Sequence, residues 1–437
     1  MRNKLPLYMT LITLGLLLCT PFFNSSVLAQ SSDREKPKLK NFGSSLKRIK
    51  WDEQKNAAIE IKGKDGKGNS ERSGSDADVL RVEIRLVVND VLVLDRQGRS
   101  VQGLTRDDFL VTEDGKPQQI GTFSLGNNVA IPRSIVLIVD HSCQAEFIEA
   151  SLDAAKTLVD KLGPQDSMAV VTDDIELLVN FTRNKKKLKD DLELLKIKSL
   201  KFHFGSNAPN ADAYAGVQAG VGRGQQLSAL MATLKEAFDD EDLRPIIIFQ
   251  TAGGELSVLR NSIITAAVAP GLPGDLRARE QRALEIFQDY KRHHTRAFSL
   301  DDVYLAAAKS RATIYTVIPG FRLVGLPADK QIEQIKAGDE KLLSTIPSLQ
   351  WRMTIADDLK RLPVESLRYY AERGAKMQEA LAGLSTITGG WTDFLNEQSQ
   401  ASDIYSRILS DINQRYIIGY YPINKERDGK RREIKIE

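Results

Sequence analysis

The sequence predicts an α/β fold with a doubly wound, mainly parallel sheet, and three observations carry that prediction. Residues 134–139, 245–251 and 312–320 are short, almost wholly apolar runs, the pattern of strands covered on both faces. Helical patterns separate these runs, which is the alternation that builds a parallel sheet with helices on both sides. The first run ends on an acid, Asp140, with Ser142 two residues later. The carboxyl end of such a strand is where open α/β sheets place their ligand sites.

At 437 residues, 42% hydrophobic and 27% charged, the chain is long enough for two or three globular domains. It begins with a targeting segment. Arg2 and Lys4 precede a largely apolar run over residues 5–23, and Val27-Leu28-Ala29 supplies a small-residue cleavage site. Residues 1–29 therefore read as a secretory signal, and the chain as exported to the periplasm or the exterior. The same run is near the lower limit for a spanning helix, so an uncleaved anchor is the one membrane contact the sequence allows. Leu18 stands before Cys19 where a lipoprotein signal needs a small residue. Losing Arg2 and Lys4 with the signal lowers the formal net charge from +3 to +1, which gives no argument for nucleic acid. Only Cys143 remains, so no internal disulfide is expected and burial must hold the core.

Residues 30–78 are rich in Ser, Gly, Lys and Asp and read as a flexible polar linker. Partial period-two alternation then begins at Val79, and residues 109–125 hold two short strands around Asp114-Gly115, a hairpin signal. Residues 79–127 are expected to form a small β module of three or four strands. An α/β domain over residues 132–423 follows, with a C-terminal strand in 424–437. Its elements in order are the strand ending at Asp140 and a helix with Phe147, Leu152, Ala155 and Leu158 on one face. Two strands over 167–181, a charged helix over 185–198 and a helix over 227–238 come next. The strands at 245–251 and 312–320, a helix stopped by Gly389-Gly390, a helix over 404–412 and a strand over 415–423 complete it. Residues 256–310 and 321–372 exceed the usual connection length and read as helical insertions.

Strand, acid-x-Ser loop, helix and a buried strand after a Gly-rich helix start resemble a von Willebrand factor type A domain. GLTRDDFLVTEDGKPQQIGTFS before the domain and QRYIIGYYPINKERDGKRREIKI at its end resemble the A-domain-related proteins common in Acidobacteria. The likeness covers most of residues 80–437 and implies a doubly wound sheet in an exported protein. Type A domains often carry a metal-ion-dependent adhesion site of Asp-x-Ser-x-Ser, a Thr on a second loop and an Asp after the fourth strand. Mg²⁺ there takes six hard oxygen ligands and keeps several waters, so an acidic partner residue completes its shell. Asp140 and Ser142 match the first two positions. Gln144 stands for the second Ser, Ser228 for the Thr, and Ala252, after Thr251, for the second Asp. With one carboxylate gone, no resident cofactor is expected and Mg²⁺ or Ca²⁺ would bind weakly at best. Asp140, Ser142, Gln144, Ser228 and Thr251 then form the expected binding face, with Asp140, Ser142 and Ser228 as the remaining metal ligands. The competing reading is that Asp140 and Ser142 satisfy loop amides.

Other residues carry less chemistry. Cys143 reads as a small packing residue, although a thiol near a helix start can react. The adjacent pair His293-His294 cannot share a helix face, and His203 has no HExxH-type companion. His141 is too close in sequence to Asp140 and Ser142 to build a triad. The glycines at 216–224 lack a preceding strand and a Gly-Lys-Ser/Thr, and Lys185–Lys187 reads as a solvated helix start. Tyr416, Tyr420 and Tyr421 are expected to pack a sheet edge. The expected function is non-catalytic protein binding on a type A scaffold, with the partner's identity open. A cation-dependent adhesion module using Asp140 and Ser142 is the alternative. A hydrolase using Ser142 or Cys143 lacks a positioned base.

Overall fold

The structure is a computed structural model. It describes residues 49–52, 57–60, 86–97, 100–128, 132–141, 143, 145–173, 177–204, 225–238, 244–345, 349–426, 428, 430 and 432–437. Strands β1 (Ile49–Asp52) and β2 (Ala57–Glu60) form an antiparallel hairpin. This corrects part of the linker expected over 30–78: the alternation in Ile49-Lys50-Trp51 and the apolar Ala57–Ile59 are a local strand pattern that the polar average of the segment conceals. The chain continues through β3 (Val87–Val91), β4 (Val111–Glu113), β5 (Lys116–Gln118) and β6 (Ile120–Leu125). Next come β7 (Ser134–Val139), α1 (Ala145–Lys161), β8 (Ser167–Thr172), β9 (Leu177–Thr182), α2 (Lys185–Phe204), α3 (Gln226–Glu236) and β10 (Pro245–Gln250). They are followed by α4 (Gly274–His294), α5 (Leu300–Lys309), β11 (Thr313–Pro319), α6 (Ala328–Thr345), α7 (Leu349–Lys360), α8 (Val364–Ile387) and β12 (Thr392–Leu395). Last come α9 (Ala401–Gln414), β13 (Tyr416–Tyr420) and β14 (Ile434–Ile436).

The larger unit is built on a six-stranded sheet of order β12-β11-β10-β7-β8-β9. Its neighbours are parallel except β9, which pairs antiparallel with β8 at the edge. This is the doubly wound α/β fold that the alternation predicted. All six residues of β7 and of β10 are buried. Val136, Ile138, Ile247 and Phe249 share one core with Leu227 and Leu230 of α3, Val303 of α5 and Leu381 and Leu384 of α8. Their alternating neighbours Ile135, Leu137 and Ile248 are buried toward the opposite layer. Gly389, at φ +75°, ends α8 in the left-handed conformation, and a Cβ on Gly390 would sit 1.9 Å from the Ile314 carbonyl oxygen.

The two long insertions are not separate. Ala269, Leu272 and Leu276 share a small core with Leu323, Ile332 and Ile335 and with Leu367 and Tyr370. Arg279 binds both carboxylate oxygens of Asp358, at 3.0 and 3.2 Å, across that interface. The first expected insertion was drawn too wide. Helix α5 lies inside 256–310, yet its Val303 and Ala307 belong to the sheet's own core, whereas the start of α8 inside 321–372 keeps Leu367 and Tyr370 in the insertions' core.

The second unit is a β module. Strands β3, β13 and β6 form one antiparallel sheet and β14, β4 and β5 another. The turn Asp114-Gly115, with φ +50° and +75°, joins β4 to β5 as the Asp-Gly signal predicted. The expected boundary of the α/β domain at 423 is corrected here. Strand β13 pairs with β3 on one side and β6 on the other, not with the six-stranded sheet. Tyr416 and Tyr420 therefore sit on a central strand, fully buried, and Tyr421 is half exposed. Tyr416 packs against Phe109 and Phe123, with ring centroids 5.3 and 5.7 Å away. An apolar strand reads the same in either sheet; only pairing partners decide which it joins.

Candidate functional site

The site begins where the strand order reverses. From β7 the chain winds outward through β8 and β9, and β10 then starts the other half on the opposite side of β7. Loops diverge at such a point and leave a crevice at the carboxyl ends of the two strands. Val139 pairs with Gln250, so the next residues, Asp140 and Thr251, emerge side by side. Both are fully buried. Asp140 Oδ2 accepts from Thr251 Oγ1 at 2.8 Å and from the Ala252 amide at 3.1 Å, and Oδ1 accepts from Gln226 Nε2 at 3.1 Å. Gly253 holds φ +79° and donates its amide to Thr251 Oγ1 at 2.9 Å. A Cβ there would meet Leu381 at 2.9 Å, so the tight turn requires glycine.

A second acid follows β8. Asp173 is buried, and its Oδ1 accepts the His141 amide at 3.0 Å; the His141 ring Nδ1 lies 3.0 Å from the same oxygen. Burial pushes the Asp173 carboxyl up to about 6. The hydrogen bonds from His141 oppose that shift, and the nearby Asp140 charge adds to it.

A third acid, Glu255, caps helix α3 from outside. Its Oε2 accepts the Leu227 and Ser228 amides at 2.6 and 3.0 Å, and its Oε1 accepts Ser228 Oγ at 2.5 Å. A carboxylate facing unsatisfied amides at the positive end of a helix is favourable. Arg296, almost fully buried, donates its Nε to Glu255 Oε1 and completes a desolvated ion pair. Gln226 ties the two halves together: its Nε2 reaches Asp140 while its Oε1 accepts the Glu255 amide at 3.1 Å. Asp140, Gln226, Glu255 and Arg296 thus form one continuous buried polar network.

The positions expected to form a binding face behave differently. Thr251 and Ser228 are 0% and 1% exposed, so neither offers a surface; their hydroxyls are used inside. Ser228 serves Glu255, which corrects its expected role as a ligand beside Asp140. Ala252 acts through its backbone amide. Ser142 and Gln144 lie outside the described residues, as do the glycines at 216–224 and the His203 side chain. Cys143 is buried and donates its amide to the Asp140 carbonyl at 3.4 Å. His293 and His294 are exposed at the end of α4, each with Nδ1 2.9 Å from a carbonyl one turn back. Lys185 Nζ donates to the carbonyls of Asp160 and Leu162, near the end of α1, rather than to solvent alone. Glu255 and Arg296 were missed by sequence reasoning. The signal for Glu255 was an acid just beyond an apolar strand; nothing local marked Arg296.

The Ala252 N–H and the Gln226 amide direct positive hydrogens at the Asp140 oxygens. Among the described residues no three His, Cys, Asp or Glu side chains are grouped to hold a metal.

No protein-family model matches the chain, and no curated protein matches it. Among solved structures, the chain is similar to the conserved hypothetical protein BatB from Bacteroides thetaiotaomicron. The identity is 13% and the TM-score 0.29, over 64% of this chain and 98% of that one.

Proposed function

We propose that this chain is an exported, non-catalytic binding protein on a von Willebrand factor type A scaffold. Its loops at the carboxyl end of the parallel sheet would hold a protein partner without a cation bridge. The observation that supports this reading is the engagement of Asp140 by Thr251, the Ala252 amide and Gln226. In a cation-dependent adhesion site the corresponding carboxylate turns its oxygens to the ion; here it braces the loops at the switch point. The polar network gives the crevice a fixed shape, which suits recognition by complementary contacts. Export rests on the N-terminal segment, which lies outside the described residues; no helix among the described residues is long and apolar enough to cross a membrane.

Thermal melting with and without millimolar Mg²⁺, Mn²⁺ or Ca²⁺ tests the cation-free reading. The expected result is one melting temperature in all conditions, and a partner captured equally well in the presence of a chelator. A cation-dependent rise that disappears in Asp140→Ala would overturn it and restore the adhesion-site alternative.

A further inference from the structure

Helices α3 and α5 each lead into a parallel strand, β10 and β11, and descend side by side from the carboxyl end of the sheet. Between them lies a cavity of about 580 Å³. That is within the range of about 300–1,000 Å³ typical of small-molecule sites. Each helix gives the cavity one stripe at helical spacing: Ser228, Met231, Ala232 and Lys235 from α3, and Asp302, Leu305, Ala306 and Lys309 from α5. The two stripes match position by position, with a polar residue at the top, two apolar residues in the middle and a lysine at the bottom.

The two ends differ electrostatically. At the top Arg260 donates to Asp302 at 2.7 Å, and the Ser228 hydroxyl is spent on Glu255, so that end is neutralised. At the bottom Lys235 and Lys309 are exposed, and neither has a hydrogen-bond or ion-pair partner among the described residues. Leu305, in the apolar middle, is 51% exposed. An apolar channel of roughly 10 Å, seven residues of helical rise, therefore ends on two unpaired cations.

We infer that this groove binds a small amphiphilic anion, with an alkyl or aryl body against Met231, Ala232, Leu305 and Ala306 and a carboxylate or similar head between Lys235 and Lys309. A neutral analogue would gain the same apolar burial without the head-group contact. The inference does not depend on the site at Asp140.

Titration calorimetry of the full chain with decanoate and with decanol tests it. Saturable one-to-one binding of decanoate is expected, and the double variant Lys235→Gln/Lys309→Gln should weaken it by roughly tenfold while leaving decanol unchanged. All three substituted side chains in the test are exposed, so melting temperatures should stay near that of the parent; Leu305→Asp should abolish binding of both compounds. Absence of saturable decanoate binding, equal decanoate affinity in the lysine double variant, or retained binding in Leu305→Asp would each overturn the inference.

Discussion

Thr251 Oγ1 donates to Asp140 Oδ2 at 2.8 Å and ties the ends of β10 and β7 together where the sheet reverses its order. The same hydroxyl accepts the Gly253 amide, so one oxygen serves two loops. Thr251→Val keeps the shape and removes both bonds, leaving a buried carboxylate and a buried amide short of a partner. The expected loss is about 2–3 kcal/mol in urea unfolding, because an unsatisfied buried group costs more than a hydrogen bond gains. A loss below about 0.5 kcal/mol would show that this bond does not brace the site.

Glu255 and Arg296 form a desolvated ion pair, and removing one member leaves a buried charge alone. Glu255→Gln and Arg296→Met are each expected to cost about 3–5 kcal/mol. The double variant should cost clearly less than the sum, with coupling above about 1 kcal/mol in a double-mutant cycle. Additive losses would mean that the two side chains act independently.

Asp173 makes stability depend on pH. Its folded pKa, about 6, lies above the ordinary value of 3.8, so between those values the folded state holds a proton that the unfolded state has released. Its contribution is therefore fully present below about pH 4 and is lost as pH rises through about 6, at most about 3 kcal/mol. Asp166 acts oppositely: despite burial, Arg133 holds its carboxyl below the usual range, so that support is lost only as pH falls into the acid range. Urea midpoints should rise from about pH 7 to about pH 5, and Asp173→Asn should flatten the rise. An unchanged slope in that variant would remove Asp173 from the account.

Gly390 has no room for a side chain, since a Cβ would lie 1.9 Å from the carbonyl oxygen of Ile314. Gly390→Ala must push α8 away from β11 and is expected to cost roughly 2–4 kcal/mol or to prevent accumulation of folded protein. A melting temperature equal to the parent's would contradict the close approach.

Strand β13 lies between β3 and β6. A chain ending at Gln414 should therefore lose hydrogen-exchange protection in β3 and β6 while the strands of the six-stranded sheet keep theirs. Protection retained in β3 and β6 would show that they hold together without it.

Much of this architecture was legible in the sequence. Apolar runs of six residues rich in β-branched side chains read as strands with both faces covered, and their alternation with helices points to a parallel sheet. The Asp114-Gly115 hairpin and the stop at Gly389-Gly390 were legible because left-handed backbone geometry selects few residue types. Asp140 and Thr251 were marked as site residues because the ends of buried strands converge.

What the sequence determined by itself was therefore local: most of the strands and helices, though not β1, β2 or β12, several of their ends, and which acid stands at the switch point. Tertiary structure alone decided the partnerships. It put β13 into the β module, joined the two insertions that flank β11 into one core, and turned Ser228 from Asp140 to Glu255. It also brought Arg296, forty-one positions away, onto Glu255. The physical reason is that periodicity and turn chemistry act between neighbours along the chain. The choice among buried polar partners depends on which charges and donors the folded core leaves within reach, and no spacing in the sequence encodes that directly.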